Sequence, residues 1–199
     1  PLLLKPEGTG KLRKRDAAQH HFPIFPLAWK DPHTGEQLEG FREQGYQPEA
    51  LLNFLALLGW NPGTSQEVFT LEGLTQACSL ERIGKSGVKF DIRKAQWFNQ
   101  QYWQTQSEEA LVAHLMAQLK EEQLRCTPEK ALQVVHLVRE RVVFPQDLWE
   151  QGQHFFIKPT TYDAKAVQAK WNAQTSAALQ AFTEELRALT PFEATAIKA

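Results

Sequence analysis

The sequence predicts a mainly α-helical protein with a short extended region at its N-terminal end. From Ser107 onward, capping residues and apolar residues spaced three and four apart succeed one another almost without a break. Gln47 to Trp60 carries the clearest single helical pattern in the chain. Residues 17–45, in contrast, are so dense in prolines and turn formers that a helix is excluded, and only residues 2–5 read as a buried strand.

Taken in order, the strand at Leu2–Lys5 leads into a glycine-bearing basic segment. Asp31-Pro32 with Gly35 marks a tight turn between two short extended arms. In the first helix Pro48 sits in the first turn, where its missing N–H costs nothing. Leu51, Phe54, Leu55 and Leu58 form its apolar face, Leu52 and Leu57 add flanks, and Gly59 is expected to supply a left-handed stop. Thr70 should cap a second short helix reaching Cys78, and Asp91 a third bearing Ile92, Ala95, Phe98 and Tyr102 along one side. Ser107 should cap a fourth, where Glu108 and Glu109 favour the dipole and Leu111, Leu115 and Leu119 repeat every four residues. Thr127-Pro128-Glu129 opens another, carrying Leu132, Val135, Val138 and Val142. A short turn of helix at Asp147–Gln151 follows, then a helix capped by Asp163 and running to Trp171. Thr175 or Ser176 should cap the last clear helix, which ends near Leu189.

Apolar residues make up 42% of the 199 and charged residues 23%, an ordinary globular balance able to bury a core. The net charge of −1 excludes a uniformly basic nucleic-acid binder. Residues 1–16 nevertheless carry a net +3, leaving −4 for the remainder, so any polyanion contact must be a local, salt-sensitive patch. Cys78 and Cys126 lie far apart with no metal-ligand spacing, which suits a reducing compartment and two small buried thiols. His20, His21 and His33 lack a fourth ligand at a useful spacing, so surface histidines are expected rather than a metal site. No apolar run reaches membrane-spanning length and no signal-peptide order is present, so a cytoplasmic protein without membrane contact is expected. Pro1 and the strand-like Leu2-Leu3-Leu4 suggest a piece of something longer.

Lys11-Leu12-Arg13-Lys14-Arg15, after Gly8-Thr9-Gly10, places four positive charges in five positions. Ammonium and guanidinium groups neutralise phosphate oxygens, and glycines allow close backbone approach. A solvated surface cluster or targeting tag has the same pattern.

Gly10-Lys11-Leu12-Arg13-Lys14-Arg15-Asp16, with Gly45-Tyr46-Gln47-Pro48 through Trp60, resembles bacterial glutamyl-tRNA synthetase, a class I aminoacyl-tRNA synthetase. The resemblance continues through Leu80-Glu81-Arg82, Lys85-Ser86-Gly87, Phe90-Asp91, Trp97 and Asn99. It implies that Lys11 to Arg15 form the KMSKS-type loop, Lys11 matching its first lysine and Lys14 the second, which contacts the ATP phosphates. Arg13 stands where the family has serine. The implied architecture is the end of a catalytic domain (1–16), a stem-contact-type α domain (17–104) and an all-α anticodon-binding helical domain (105–199), truncated.

Arg82, Lys85 and Lys89 are then candidate tRNA phosphate contacts, with solvated surface charge as the alternative. His136 to Phe144 resembles the family's anticodon-binding arginine cluster. Arg139 and Arg141 would point about 200° apart on a helix, so both can serve one target only if the helix ends between them, which Val143-Phe144-Pro145 allows. Ion pairs with Glu140 or Glu150 are the alternative. The implied activity is ligation of glutamate to tRNA(Glu) using ATP with Mg2+. No HIGH-type signature, Rossmann alternation or glutamate pocket is found, so no catalytic residue, metal site or bound cofactor is expected in this chain, which is expected to be monomeric and inactive alone. Glutamate and ATP would be handled by a catalytic domain missing from the chain. A non-catalytic RNA-binding or interaction module of the same architecture is the competing reading. A glutaminyl relative fits less well because its anticodon region is largely β-barrel, and a helical scaffold leaves the basic loop without a purpose.

Overall fold

The computed structural model describes residues 2–7, 9–13, 16 and 22–198. Chain contacts divide them into two units, residues 1–156 and 157–199. The described residues are mostly helical, as expected from the spacing of caps and apolar residues.

In the first unit, β1 (Leu3–Leu4) pairs in parallel with β4 (Val88–Lys89), Leu3 opposite Val88. The extended arms flanking Asp31 are β2 (Trp29–Lys30) and β3 (Gln37–Leu38), antiparallel, with Trp29 opposite Leu38. Asp31 Oδ1 accepts the His33 and Thr34 N–H groups at 2.7 and 3.0 Å, closing the turn, and Gly35 takes the left-handed φ of +73° that it needs.

Helices α1 (Pro48–Leu57), α2 (Leu71–Ala77), α3 (Ile92–Gln104), α4 (Glu108–Glu121) and α5 (Pro128–Val138) follow. Thr70, Asp91, Ser107 and Thr127 each accept a backbone N–H two or three residues on, as predicted. A 3-10 turn, Arg139–Arg141, leads to α6 (Asp147–Gly152) and a further turn at Gln153–Phe155. The first core joins α1 and α3 through aromatic rings: Phe90 stacks on Phe22 at 4.9 Å and meets Phe54 edge-on at 5.2 Å. The second joins α4, α5 and α6 through Leu111, Leu115, Leu119, Val135, Val138, Val142 and Leu148.

In the second unit, α7 (Ala164–Lys170) is capped by Asp163 as expected. α8 (Ala173–Ala188) is capped by Asn172, whose side chain accepts the Thr175 N–H, rather than by Thr175 or Ser176. Trp171 is extended, so α8 starts directly after it, at the best capping side chain available. α9 (Ala194–Lys198) was not anticipated. Among the described residues of this unit none is buried, and Trp171, Phe182 and Phe192 stand exposed.

The buried face of α1 differs from the apolar stripe. Leu55 is 47% exposed, whereas Asn53 is fully buried. Asn53 Oδ1 accepts from Phe69 N at 2.8 Å and the Tyr102 hydroxyl at 2.9 Å, and Nδ2 donates to Glu67 O at 2.9 Å. A side chain satisfied at every polar atom can occupy a core position that periodicity assigns to leucine. Nor is Gly59 the left-handed stop. Among the described residues the left-handed glycines are Gly10, Gly35, Gly45 and Gly63, and Gly59 instead uses its carbonyl to accept Gly84 N at 2.7 Å. Cys78 is exposed and Cys126 half-buried, because α2 buries only Leu74 and Cys126 sits in the turn before α5. Both thiols are free.

Candidate functional site

The basic N-terminal segment is tied down on both sides. Leu12 N donates to Leu3 O at 2.9 Å and Lys5 N to Gly10 O at 3.1 Å, with Gly10 at φ +104° making the bend. Leu12 packs against the first core while Lys11 and Arg13 are exposed. Asp16, only 2% exposed, accepts Arg13 N at 2.8 Å and lies 2.9 Å from Lys5 Nζ. A buried carboxylate is tolerated only when so paired, and this one anchors the segment to Lys5, the residue after β1. Lys14, the residue expected to contact the ATP phosphates, and Arg15 beside it lie outside the described residues, as do His20 and His21.

The second group of expected contacts surrounds the Leu80–Arg82 3-10 turn and β4. Arg82 Nη1 donates to Pro62 O, so part of its guanidinium is spent on its own fold. Lys85 and Lys89 are exposed and, among the described residues, in no ion pair. Lys89 lines a cleft of about 380 Å³ together with Trp60, Thr64, Gln66 and Lys94. Lys94 pairs with Glu67 at 2.6 Å and lies 4.2 Å above the Trp97 ring. Sequence reading did not single out Lys94, since nothing in the spacing from a strand residue to a helix residue predicts a shared cleft. Burial opposes ionisation of Asp91 in the same wall, but the Arg93 side chain and the first N–H groups of α3 hold its carboxyl below the usual carboxylate value.

The two arginines expected in the distal half receive different environments. α5 ends at Val138, so Arg139 and Arg141 occupy a 3-10 turn instead of opposite helix faces. Arg139 is half-buried; its Nη2 donates to Gln104 O at 2.6 Å and Gln106 O at 3.0 Å. Arg141 is exposed, and among the described residues its guanidinium has neither hydrogen bond nor ion pair. The pairing with Glu140 or Glu150 considered for both arginines is not formed. Asp147 Oδ2 accepts both Val143 N (2.8 Å) and Phe144 N (2.9 Å), fixing the exit of the turn. Among the described residues no group of His, Cys, Asp or Glu could hold a metal ion, and no helix is long and apolar enough to cross a membrane.

Residues 96–199 match the family model described as an anticodon binding domain, and residues 30–97 match that of the class I (E and Q) tRNA synthetase catalytic domain. A glutamate–tRNA ligase of Amoebophilus asiaticus is 59% identical over 198 residues, covering 100% of this chain and 39% of the relative. That of Cytophaga hutchinsonii is 50% identical, covering 96% of this chain and 37% of the relative. Among solved structures, a glutamate tRNA ligase of Elizabethkingia meningosepticum in complex with its amino acid superposes with a TM-score of 0.90 at 40% identity, over 99% of this chain and 39% of that one. The chain thus spans about 39% of the length of the first of these relatives.

Proposed function

The chain belongs to the glutamyl-tRNA synthetase family of class I synthetases, and on that premise we propose that it is the tRNA-binding part of a glutamate–tRNA ligase. In that reading the whole enzyme joins glutamate to ATP, releasing pyrophosphate, and transfers the glutamyl group to the 3′ end of tRNA(Glu). Residues 1–16 close the catalytic domain, 17–104 contact the tRNA stem and 105–199 read the anticodon.

Lys11 to Arg15 face the ATP phosphates, Lys14 stabilising charge that builds on the leaving pyrophosphate. The Asp16 anchor supports this, because a loop that must return to one position needs a fixed base. Lys85 and Lys89, with the free part of Arg82, contact stem phosphates. Arg141 reads an anticodon base by its planar, multiply donating head. The protein acts as a cytoplasmic monomer, and this chain alone forms no glutamyl-tRNA.

The observation that carries the RNA-reading role is Arg141, an exposed guanidinium with no partner among the described residues, on a turn hydrogen-bonded to its neighbours on both sides. A binding titration with tRNA(Glu) and with the same tRNA bearing a substituted anticodon, repeated across salt and with Arg141→Ala, tests it. Tighter binding of the natural anticodon, lost in Arg141→Ala, is expected. Equal binding of both RNAs by the unaltered chain removes the role.

A further inference from the structure

We propose that Arg139 is a positioning residue that acts on the anticodon through Arg141, and makes no RNA contact of its own; this rests on the RNA-reading role above. Its guanidinium spans two carbonyl oxygens at the end of α3, Gln104 O at 2.6 Å and Gln106 O at 3.0 Å. Gln104 O is at the electronegative end of the helix, where the last acceptors lack intrahelical donors and a cation is favoured, and Gln106 O lies two residues beyond it. A rigid guanidinium satisfies two acceptors at once, which a lysine ammonium on a flexible stem does poorly. Releasing it toward RNA would leave two part-buried carbonyls without these bonds.

The same last turns of α3 grip the segment elsewhere. Gln100 Nε2 donates to Glu140 O at 2.8 Å, and Asn99 Nδ2 to Val143 O at 2.6 Å. The side chain of 139, the carbonyl of 140 and the carbonyl of 143 are therefore all fastened to α3. Arg141 lies between these fastenings with its own side chain exposed. Its direction is set by bonds that Arg139 helps to make, so removing them blurs the aim of Arg141 without removing its charge.

The test is a double-mutant cycle on the 199-residue chain. Affinities for tRNA(Glu), for its anticodon-substituted form and for an acceptor-stem minihelix are measured with Arg139→Met, Arg139→Lys, Arg141→Ala and the Met/Ala double variant. Arg139→Met and Arg141→Ala should each cut anticodon discrimination roughly tenfold, the size of one lost base contact. The double variant should be no worse than Arg141→Ala, because both changes act through one group. Arg139→Lys should retain part of the discrimination, and minihelix binding should not change. If Arg139→Met unfolds, Arg139→Lys combined with Arg141→Ala makes the same comparison. Multiplying losses would mean that Arg139 touches RNA directly and would overturn the proposal, as would full discrimination in Arg139→Met. An unaltered chain that fails to discriminate anticodons would bring down the RNA-reading role itself, and the proposal with it.

Discussion

Asn99 and Val143 are joined by a 2.6 Å hydrogen bond across 44 positions of sequence, from the side-chain amide of one to the backbone carbonyl of the other. The same fully buried amide also donates to Gly45 O at 3.1 Å and accepts Gln47 N at 2.8 Å. One side chain thereby ties the entry of α1, the body of α3 and the exit of the arginine turn.

Asn99→Ala should therefore be among the most destabilising single changes in the first unit. It strands one N–H and two carbonyls, each costing about 1–3 kcal/mol when unpaired and buried; a total on the order of 3 kcal/mol is expected after relaxation, read from the denaturant midpoint. Asn99→Asp keeps the acceptor but loses both donors, and turns a carboxylate toward two carbonyls. Its deficit should shrink as pH falls, since the protonated acid can donate once. A deficit independent of pH would show that the two carbonyl contacts contribute little.

Gly45→Ala should fail for two separate reasons. Gly45 holds φ +90°, which an L side chain rarely adopts, and an added Cβ would lie 2.6 Å from Pro145 Cδ. A loss of roughly 1–3 kcal/mol is expected in chemical denaturation. Gly35→Ala is the control: it is also left-handed, at φ +73°, but its Cβ would meet nothing within 4 Å, so only the smaller backbone penalty should appear.

Alkaline pH should loosen the first unit through Tyr46. Burial against Phe41 and Phe144 pushes its hydroxyl from 10.0 up to about 12. The unfolded chain then gives up this proton before the folded one does. The stability is present in full below pH 10 and is lost as pH rises toward 12, a loss on the order of 2 kcal/mol. Burial, with the nearby Glu49 charge, also raises Tyr102, against the pull of its bond to Phe69. Tyr46→Phe should accordingly remove most, not all, of the decline in melting temperature over that window. An unchanged decline in Tyr46→Phe would assign it to another group.

Lys85→Ala and Lys89→Ala should weaken tRNA binding irrespective of anticodon. If each neutralises one phosphate, each removal reduces the slope of log affinity against log salt by about one. Lys94→Met should do less, because Lys94 already pairs with Glu67. Slopes unchanged in both variants would return Lys85 and Lys89 to ordinary solvated surface.

Local chemistry was readable in the chain by itself. Thr70, Asp91, Ser107, Thr127 and Asp163 make the predicted capping bonds because cap and target lie within three residues of one another. The tight turn at Asp31 and the leucine face of α4 were legible for the same reason, as was the family, whose motifs are short runs. Tertiary structure alone decided which polar groups are consumed by the fold. Asn53 displaces Leu55 from the core by bonding Glu67 and Phe69, 14 and 16 positions away. Arg139 is committed to carbonyls 33 and 35 positions back, while Arg141 has no such partner among the described residues. A hydrogen bond needs both ends in place, and spacing along one segment carries no information about an acceptor that folding brings from another.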